Sequence, residues 1–219
     1  MRTTAIVPIF NEEKTIKNVL STLNNSELID KIVVVNDAST DNSLEIIKSF
    51  ISKKIRIISL KRNLGKSGAV KVATKNLKTD ILFFCDGDLH NFKPEHIEQI
   101  LKPLKDGRIA MSAGLRDYGR LRNFFDKNFT PLITGERALP YSVFKKTTKN
   151  SLMKGYGLEL VLNDYCKRNN IPIYKKVMKG LKNPLKTKKW KNGAYYLAKE
   201  ACQIVFVIVI LRLKMIIKD

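Results

Sequence analysis

The first half of the chain alternates short apolar runs with stretches in which apolar residues recur every three or four positions. The runs TTAIVPIF, KIVVVN, IRIISL and DILFFC predict strands, and RIAMSA predicts a further one. Between the first two runs, Ile16, Val19, Leu20 and Leu23 fall on one face of a predicted helix. This alternation favours an α/β fold in which a mainly parallel sheet is flanked by helices.

Beyond residue 115 the pattern is looser. Residues 114–129 are polar and aromatic and predict a loop or lid, GYGLELVLNDYCKRNN predicts a helix, and IPIYKKV predicts a late strand. Residues 204–211 read IVFVIVIL, which is shorter than the roughly 20 residues that a bilayer crossing needs. We interpret them as the centre of a terminal apolar helix that packs in the core, joins a second subunit or lies on a membrane surface; a strand is the alternative.

Charge is concentrated at the C-terminal end. The chain has a net charge of +21, and residues 141–219 hold 18 basic and 4 acidic side chains, a net of +14. Such a basic region attracts anions, which include nucleic acid, anionic lipid and phosphorylated substrates. A nucleic-acid-binding module is disfavoured because only 8% of residues are aromatic, no recognition motif occurs, and acidic strand ends would repel phosphates.

The cysteines indicate a reducing compartment. Cys85, Cys166 and Cys202 lie in apolar surroundings at spacings that do not match a metal site. The opening MRTTAIVPIF does not have the order of regions found in a secretory signal. We therefore expect a cytoplasmic protein.

Polar residues follow each of the first four predicted strands. Ligands of parallel sheets bind beyond the carboxyl ends of the strands, so we expect these residues to share one crevice. They are Asn11 and Glu12, then Asn36 and Asp37, then residues 62–66, and finally Asp86 and Asp88.

Asp86 and Asp88 suggest a metal clamp. Residues two apart in extended backbone point to the same side, and two such carboxylates repel unless a cation lies between them. Mg²⁺ and Mn²⁺ prefer oxygen ligands and often bridge carboxylates to substrate phosphates. Gly87 would let a ligand approach the backbone closely. The alternative is an ordinary Asp-Gly turn.

The stretch RNLGKSGA offers a second phosphate contact. It is not a P-loop, because Leu60 stands where that motif needs a glycine, and no G-x-G-x-x-G occurs in the chain. The turn into the helix can still present backbone N–H groups and the Lys66 ammonium to a phosphate. An ordinary glycine-containing turn is the alternative.

The order of four motifs is the most specific signal. VPIFNEEKTI, VVVNDASTDNS, RNLGKSGAVKVA and FFCDGDLHNFKPEHI closely resemble the family 2 glycosyltransferases of GT-A fold over at least residues 4–105. NFTPLITGERALPYSVF and GYGLELVL resemble the group that contains glucosyl-3-phosphoglycerate synthases, which extends the resemblance to about residue 195. The DGDL and PEHI segments are similar to those of dolichyl-phosphate mannose synthases.

This resemblance implies a nucleotide-sugar donor, a Mg²⁺ or Mn²⁺ cofactor and a set of site residues. The donor contacts would be Pro8, Glu12, Asp37, Ser39, Lys66 and Asp86. Asp37 would contact the base or ribose, Asp86 the ribose, and Lys66 the base or phosphate side. Asp88 would bind the metal and act in catalysis. Gly135, Arg137 and Glu159 would face the sugar and acceptor, with Arg137 and Glu159 in catalytic roles.

One feature departs from the family pattern. In phosphoglycerate-type members, a histidine of the second half completes the metal site, but the matching segment here reads MKGLKNPLKTKKW. The candidates in that segment are Asn183, which could offer a carbonyl oxygen, and Lys182, whose charge could replace that of the cation locally. We expect His96 on a helix surface and His90 in a loop, with a place near the site as the alternative for His90.

The resemblance and the charge together predict a hexosyltransferase that uses a UDP- or GDP-sugar. The acceptor would be anionic and phosphate-bearing, such as a polyprenyl phosphate or another lipid, and Arg137 would bind its phosphate. A small phospho-acid such as 3-phosphoglycerate is the alternative acceptor. A non-catalytic sugar-nucleotide-binding relative, a nucleic-acid-binding module and a nucleotidyltransferase also stay open as function classes.

The expected organisation is a single GT-A domain with an appended segment. Residues 1–115 would form the nucleotide-sugar-binding half and residues 116–195 the basic acceptor-binding half. Residues 196–219 would lie on a membrane surface or form a homodimer contact. The protein would then be cytoplasmic, or peripheral on the inner face of the membrane.

Overall fold

The computed structural model describes most of the chain. The described residues are 1–50, 52–107, 111–117, 119, 134–153, 157–181 and 193–216; in the last range, side chains are described at residue 198 and at residues 201–211.

Strands and helices alternate through the described chain. The strands are β1 (Thr3–Ile9), β2 (Lys31–Asn36), β3 (Ile55–Ser59), β4 (Ile81–Phe84), β5 (Met111–Arg116), β6 (Arg137–Pro140) and β7 (Ile173–Met178). The helices are α1 (Ile16–Asn24), α2 (Ser43–Lys48), α3 (Gly65–Thr74), α4 (Pro94–Lys105), α5 (Tyr141–Thr147), α6 (Gly157–Arg168) and α7 (Gly193–Ile216).

The strands form one sheet in the order β3-β2-β1-β4-β6-β5-β7. Neighbouring strands pair in parallel except at β6, which is antiparallel to both β4 and β5. The prediction of a mainly parallel sheet is confirmed. Because β6 runs the other way, its first residue lies at the same edge of the sheet as the last residues of β1 to β5.

Helices cover both faces of the sheet, so the central strands are apolar on both sides. On one face, Val7 and Phe83 pack with the buried residues of α1 and α4, among them Leu20 and Ile97. On the other face, Ile6 packs in a second cluster with residues of α3, α5 and α6. Successive side chains of β1 therefore point to opposite faces of the sheet, and the core forms two layers, one on each face.

Several boundaries differ from the sequence expectations. β5 begins at Met111 and runs to Arg116, so residues 114–116 of the predicted lid belong to a strand. The four-residue β6 and the helix α5 were not predicted. The strand alternative for residues 204–211 is wrong, because they lie within α7. Residues 118 and 120–133 lie outside the described part of the chain.

The terminal helix packs on the domain. Val207 and Leu211 of α7 are buried against Leu160 of α6. Within the described ranges, the helices lack the combination of length and apolarity that a bilayer crossing requires.

His96 is buried, which corrects the expectation that it lies on a helix surface. Only 3% of the residue is exposed. Nε2 lies 3.0 Å from the carbonyl oxygen of Lys179, and Nδ1 accepts a hydrogen bond of 3.2 Å from the backbone N–H of Lys93. The ring thus ties the start of α4 to the segment that follows β7. His90, by contrast, is exposed.

This arrangement predicts different effects for the two histidines. His96→Ala should lower the free energy of unfolding by about 2–3 kcal/mol, because it leaves a cavity and removes the two partly buried hydrogen bonds of the ring. His90→Ala is the matched control and should change it by less than about 0.5 kcal/mol. Urea denaturation monitored by circular dichroism measures both, and equal stabilities would contradict the structural role of His96.

Candidate active site

The loops that follow β1 and β2 hold each other in place. The backbone N–H of Asn11 donates to Ser39 Oγ at 3.1 Å, and that of Glu12 donates to Ser43 Oγ at 2.8 Å. Asn11 and Ala38 adopt left-handed backbone conformations, with φ of 58° and 60°. An alanine in this region costs roughly 1–2 kcal/mol. The hydrogen bonds between the loops offset this strain and bring Glu12 and Ser39 into one neighbourhood.

Asp37 connects β2 to the entrance of α3. It is buried, its Oδ1 accepts a 2.7 Å hydrogen bond from the backbone N–H of Leu64, and its carbonyl accepts one of 3.2 Å from Asn63 Nδ2. The helix then begins at Gly65, whose φ of 71° is readily adopted by glycine. These contacts set the direction in which Lys66 leaves the helix.

Lys66 and Arg116 contact the carboxylate of Asp86 from two sides. Lys66 Nζ lies 2.6 Å from Asp86 Oδ1 and 3.0 Å from Glu159 Oε1. Arg116 Nη2 lies 2.9 Å from Asp86 Oδ2 and 3.3 Å from Glu136 Oε1. We call these five residues the Asp86 network. It joins α3, the turn after β4, the end of β5, the approach to β6 and the start of α6.

The network shifts the pKa values of its members. Burial alone would raise the pKa of Asp86, but the charges of Lys66 and Arg116 outweigh it and hold that pKa at about 2. Burial would lower the pKa of Lys66, yet Asp86 and Glu159 raise it above its ordinary value. Burial raises the pKa of Glu136, with Asp86 adding to the rise and Arg116 opposing it. Asp86 and Lys66 therefore remain an ion pair at neutral pH.

Gly135 makes room for this carboxylate. A Cβ added at Gly135 would lie 2.5 Å from Asp86 Cγ and Oδ1, closer than van der Waals contact permits. Gly135, which was predicted to face the sugar, is therefore needed for packing, because any side chain at this position would displace Asp86 from Lys66 and Arg116.

The geometry around Gly87 corrects the expected directions of Asp86 and Asp88 and gives the glycine a packing role. β4 ends at Phe84, and residues 87–88 form a turn, so the alternation of extended backbone does not set the directions of Asp86 and Asp88. A Cβ at Gly87 would lie 2.7 Å from Ile9 Cγ2. Thr15 Oγ1 donates to the Gly87 carbonyl at 2.8 Å. The glycine therefore leaves room for Ile9 of β1, and its role in the approach of a ligand stays a prediction.

Arg137 does not face the crevice. It is only 1% exposed, and its Nε and Nη2 donate to the Thr134 carbonyl at 3.1 and 2.8 Å. Its Nη1 donates to the Glu159 carbonyl at 3.3 Å and to Asn163 Oδ1 at 3.1 Å. The expectation that Arg137 binds the acceptor phosphate conflicts with this burial. Arg137 instead fixes the start of α6, and hence Glu159, against β6.

The sequence pattern did not reveal Arg116, because it lies in a polar segment that predicted a loop. Its position at the end of β5 makes it one more polar residue at a strand end, which is the signal that could have found it. Its side chain is 22% exposed, so the guanidinium lies at the border of the crevice rather than in the core.

The comparison with known families identifies the chain. Residues 4–162 match the family model described as glycosyl transferase family 2. The chain belongs to this family.

Relatives of this family 2 glycosyltransferase include enzymes named for lipid acceptors. A dolichyl-phosphate β-glucosyltransferase of Trichomonas vaginalis is 31% identical over 156 residues, which cover 60% of this chain and 46% of that protein. A dolichol-phosphate mannosyltransferase of Pyrococcus furiosus is 29% identical over 148 residues, which cover 64% of this chain and 42% of that protein. The matched stretch thus spans less than half the length of both relatives.

A solved structure shares the fold. Glucosyl-3-phosphoglycerate synthase from Mycobacterium tuberculosis, in complex with Mn²⁺, uridine diphosphate and glucosyl-3-phosphoglycerate, aligns with a TM-score of 0.76 at 21% identity. The alignment covers 96% of this chain and 79% of that one. The likeness shows that the α/β sheet has the GT-A fold expected from the order of the motifs.

The described residues of this family 2 glycosyltransferase do not surround Asp88, the predicted metal ligand, with a cluster of metal-binding side chains. In the part of the chain that the structure describes, no three His, Cys, Asp or Glu residues form a cluster suited to a metal ion. Asp88 lies half-buried in the turn after β4. Lys182 and Asn183 lie outside the described ranges, so their roles stay predictions.

The burial of Arg137 predicts a loss of stability when it is replaced. Arg137→Met should lower the free energy of unfolding by about 3 kcal/mol, because it removes the hydrogen bonds that the buried guanidinium donates to the Thr134 and Glu159 carbonyls and to Asn163 Oδ1. Arg56→Met, at an exposed position of β3, is the matched control and should leave stability nearly unchanged. Urea denaturation measures both. An Arg137→Met protein of unchanged stability, with only a raised KM for the acceptor, would instead support Arg137 as the ligand of the acceptor phosphate.

Proposed function

We propose that the protein is a hexosyltransferase that moves a sugar from a UDP- or GDP-sugar to an anionic, phosphate-bearing acceptor. The observation that carries the proposal is the Asp86 network, which lies at the shared strand-end crevice of a family 2 glycosyltransferase. The names of the dolichyl-phosphate relatives support a polyprenyl phosphate as acceptor. A small phospho-acid is the second candidate, supported by the phosphoglycerate product bound in the structural neighbour.

Donor binding and acceptor binding are assigned to different parts of the chain in this proposal. Residues 1–115 bind the nucleotide sugar, residues 116–195 bind the acceptor, and residues 196–219 form the terminal segment. The donor contacts are the residues at the ends of β1, β2 and β4 and at the entrance of α3, namely Pro8, Glu12, Asp37, Ser39, Lys66 and Asp86.

A divalent cation fits this crevice on electrostatic grounds. Within the Asp86 network, three carboxylates face two cations. Asp88, two residues after Asp86 in the chain, adds another acidic group. A diphosphate would meet repulsion there unless a cation accompanied it. Asp88 would hold Mg²⁺ or Mn²⁺ together with diphosphate oxygens, since both oxygens of Asp86 already contact cations of the protein. Such an ion stabilises the negative charge that develops on the leaving diphosphate.

Glu159 is placed to orient a hydroxyl group. It is 2% exposed, and among the described residues its Oε2 has no hydrogen-bond partner, whereas Oε1 contacts Lys66. A buried carboxylate oxygen without a donor is costly, by about 1–3 kcal/mol. A sugar hydroxyl would satisfy it, which supports the catalytic role predicted for Glu159.

The acceptor phosphate needs a cation rather than a base. It is already anionic at neutral pH, so no group has to remove a proton from it. Arg116 places a guanidinium at the border of the crevice, and it takes the phosphate-binding role that was predicted for Arg137. An incoming phosphate would compete with Asp86 and Glu136 for this guanidinium.

The proposed setting is the cytoplasmic face of a membrane, where a polyprenyl phosphate is available. The net charge of +14 in residues 141–219 supports attraction to anionic headgroups. A homodimer is the alternative role for the terminal segment.

Donor binding tests the proposal. The melting temperature should rise by several degrees with one of UDP-glucose, UDP-N-acetylglucosamine, GDP-mannose or GDP-glucose in the presence of Mn²⁺, because a ligand of the native state stabilises it by mass action. Asp88→Ala should lose the Mn²⁺-dependent part of the rise. Asp106→Ala, at an exposed position after α4, is the matched control and should retain it.

The outcomes separate the candidates. No shift with any donor, with or without Mn²⁺, would overturn the transferase assignment. If a donor binds, mass spectrometry of products formed with polyprenyl phosphate or with 3-phosphoglycerate decides between the two acceptor classes.

A further inference from the structure

One face of α7 is apolar and exposed. Its exposed side chains recur at steps of three or four, which places them on one side of the helix. Val205 and Phe206 are each 60% exposed, and Val209 is 48% exposed. We call this surface the α7 stripe; its members are Ala198, Ala201, Cys202, Val205, Phe206 and Val209.

The opposite face of α7 is seated on the domain. Val207 and Leu211 are buried against Leu160 of α6. Arg168, in the last turn of α6, donates from Nη2 to the Leu211 carbonyl at 3.0 Å. The helix therefore has a fixed place in the domain, and its packing turns the α7 stripe outward.

We propose that the α7 stripe docks the protein onto an anionic lipid membrane. The inference rests on the proposed function, because a polyprenyl phosphate acceptor resides in a membrane. A helix that presents apolar side chains between basic residues lies in the headgroup region of a bilayer, held by apolar burial and by attraction to anionic lipids.

The charges around the stripe complement such a surface. Residues 201–211 carry no charged side chain. The sequence places Lys199 and Glu200 before them and Arg212, Lys214, Lys218 and Asp219 after them, so the flanks carry a net charge of +2. Lys167 and Arg168 are exposed at the end of α6, where Arg168 Nε pairs with Asp164 Oδ2 at 2.8 Å. The bond from Arg168 to Leu211 sets this end of α6 beside α7. Two copies of a chain with a net charge of +21 repel each other, which favours a lipid surface over a second copy.

Helix α6 couples the docking surface to the crevice. Glu159 contacts Lys66 in the Asp86 network, while the next residue, Leu160, packs against α7. Adjacent residues of one helix thus face the reaction site and the membrane-docking helix. Docking through α7 would therefore bring the crevice to the membrane surface.

Vesicle binding by the full chain tests the docking surface. Sedimentation with vesicles of phosphatidylcholine and about 30% phosphatidylglycerol should bind the wild type, and binding should weaken in pure phosphatidylcholine or at high salt. The triple substitution Val205→Ser, Phe206→Ser and Val209→Ser keeps the net charge and should lower the partition coefficient about tenfold or more. Phe206→Leu keeps an apolar side chain and is the matched control, which should bind nearly as well as the wild type.

A label on Cys202 reports the same contact directly. Cys202 is exposed on the α7 stripe, whereas Cys85 and Cys166 are buried. Burial also raises the pKa of the Cys85 thiol and raises that of Cys166 to about 11, so both react slowly with maleimides. An environment-sensitive fluorophore on Cys202 should shift to the blue when anionic vesicles are added.

The results separate this inference from the proposed function. Equal vesicle binding by the wild type and the triple variant, or a wild type that stays off anionic vesicles, would overturn the docking surface. A wild-type dimer that the triple variant converts to monomer would overturn it as well, by assigning the stripe to a second copy. The donor-induced rise in melting temperature should persist in the triple variant, and its absence from the wild type would instead count against the transferase assignment.

Discussion

The paired carboxylate of Asp86 is the interaction on which the crevice depends. Lys66 contacts one oxygen and Arg116 the other, so one side chain joins the helix after β3 to the end of β5. Glu159 and Glu136 extend these contacts to α6 and to the approach to β6. Charges withdrawn from water are costly unless they are paired with good geometry. The five side chains therefore hold one another in a single arrangement.

The rest of the site protects that arrangement. Gly135 leaves the space that the Asp86 carboxylate occupies, and Arg137 ties Thr134 and the start of α6 together from behind. Neither residue needs to touch a substrate to matter. The proposed donor would meet groups whose positions are set before it binds, which is what stabilisation of a developing charge requires.

The first half of the fold was predictable because its strands are buried on both faces and its helices on one. Continuous apolar runs and the spacing of Ile16, Val19, Leu20 and Leu23 carry that information. The position of β6 could not be read in the same way. Its four residues, RALP, are too few to show a period, and it lies in the sheet by pairing with β4 and β5.

The strand-end rule found Asp37, Lys66 and Asp86, but residue type did not reveal which charged groups are buried. Arg137 and Arg116 look alike in the sequence. The structure places one guanidinium among backbone carbonyls and the other at the crevice. The burial of His96 was equally hidden in the sequence. Nothing in the helical pattern around it indicates that its Nε2 contacts the carbonyl of Lys179, which is distant in the chain. Such contacts depend on residues far apart in the chain, which local patterns do not encode.

The pKa of Asp86 tests the account most directly. Its value of about 2 lies below the ordinary 3.8, so the ionised carboxylate stabilises the folded state above about pH 4, and this contribution is lost as the pH falls toward 2. Titration of the Asp86 carboxyl carbon by ¹³C NMR, assigned with Asp86→Asn, should give a midpoint near 2. A midpoint at or above 3.8 would show that Lys66 and Arg116 do not hold the carboxylate, and would contradict the network on which the proposed site is built.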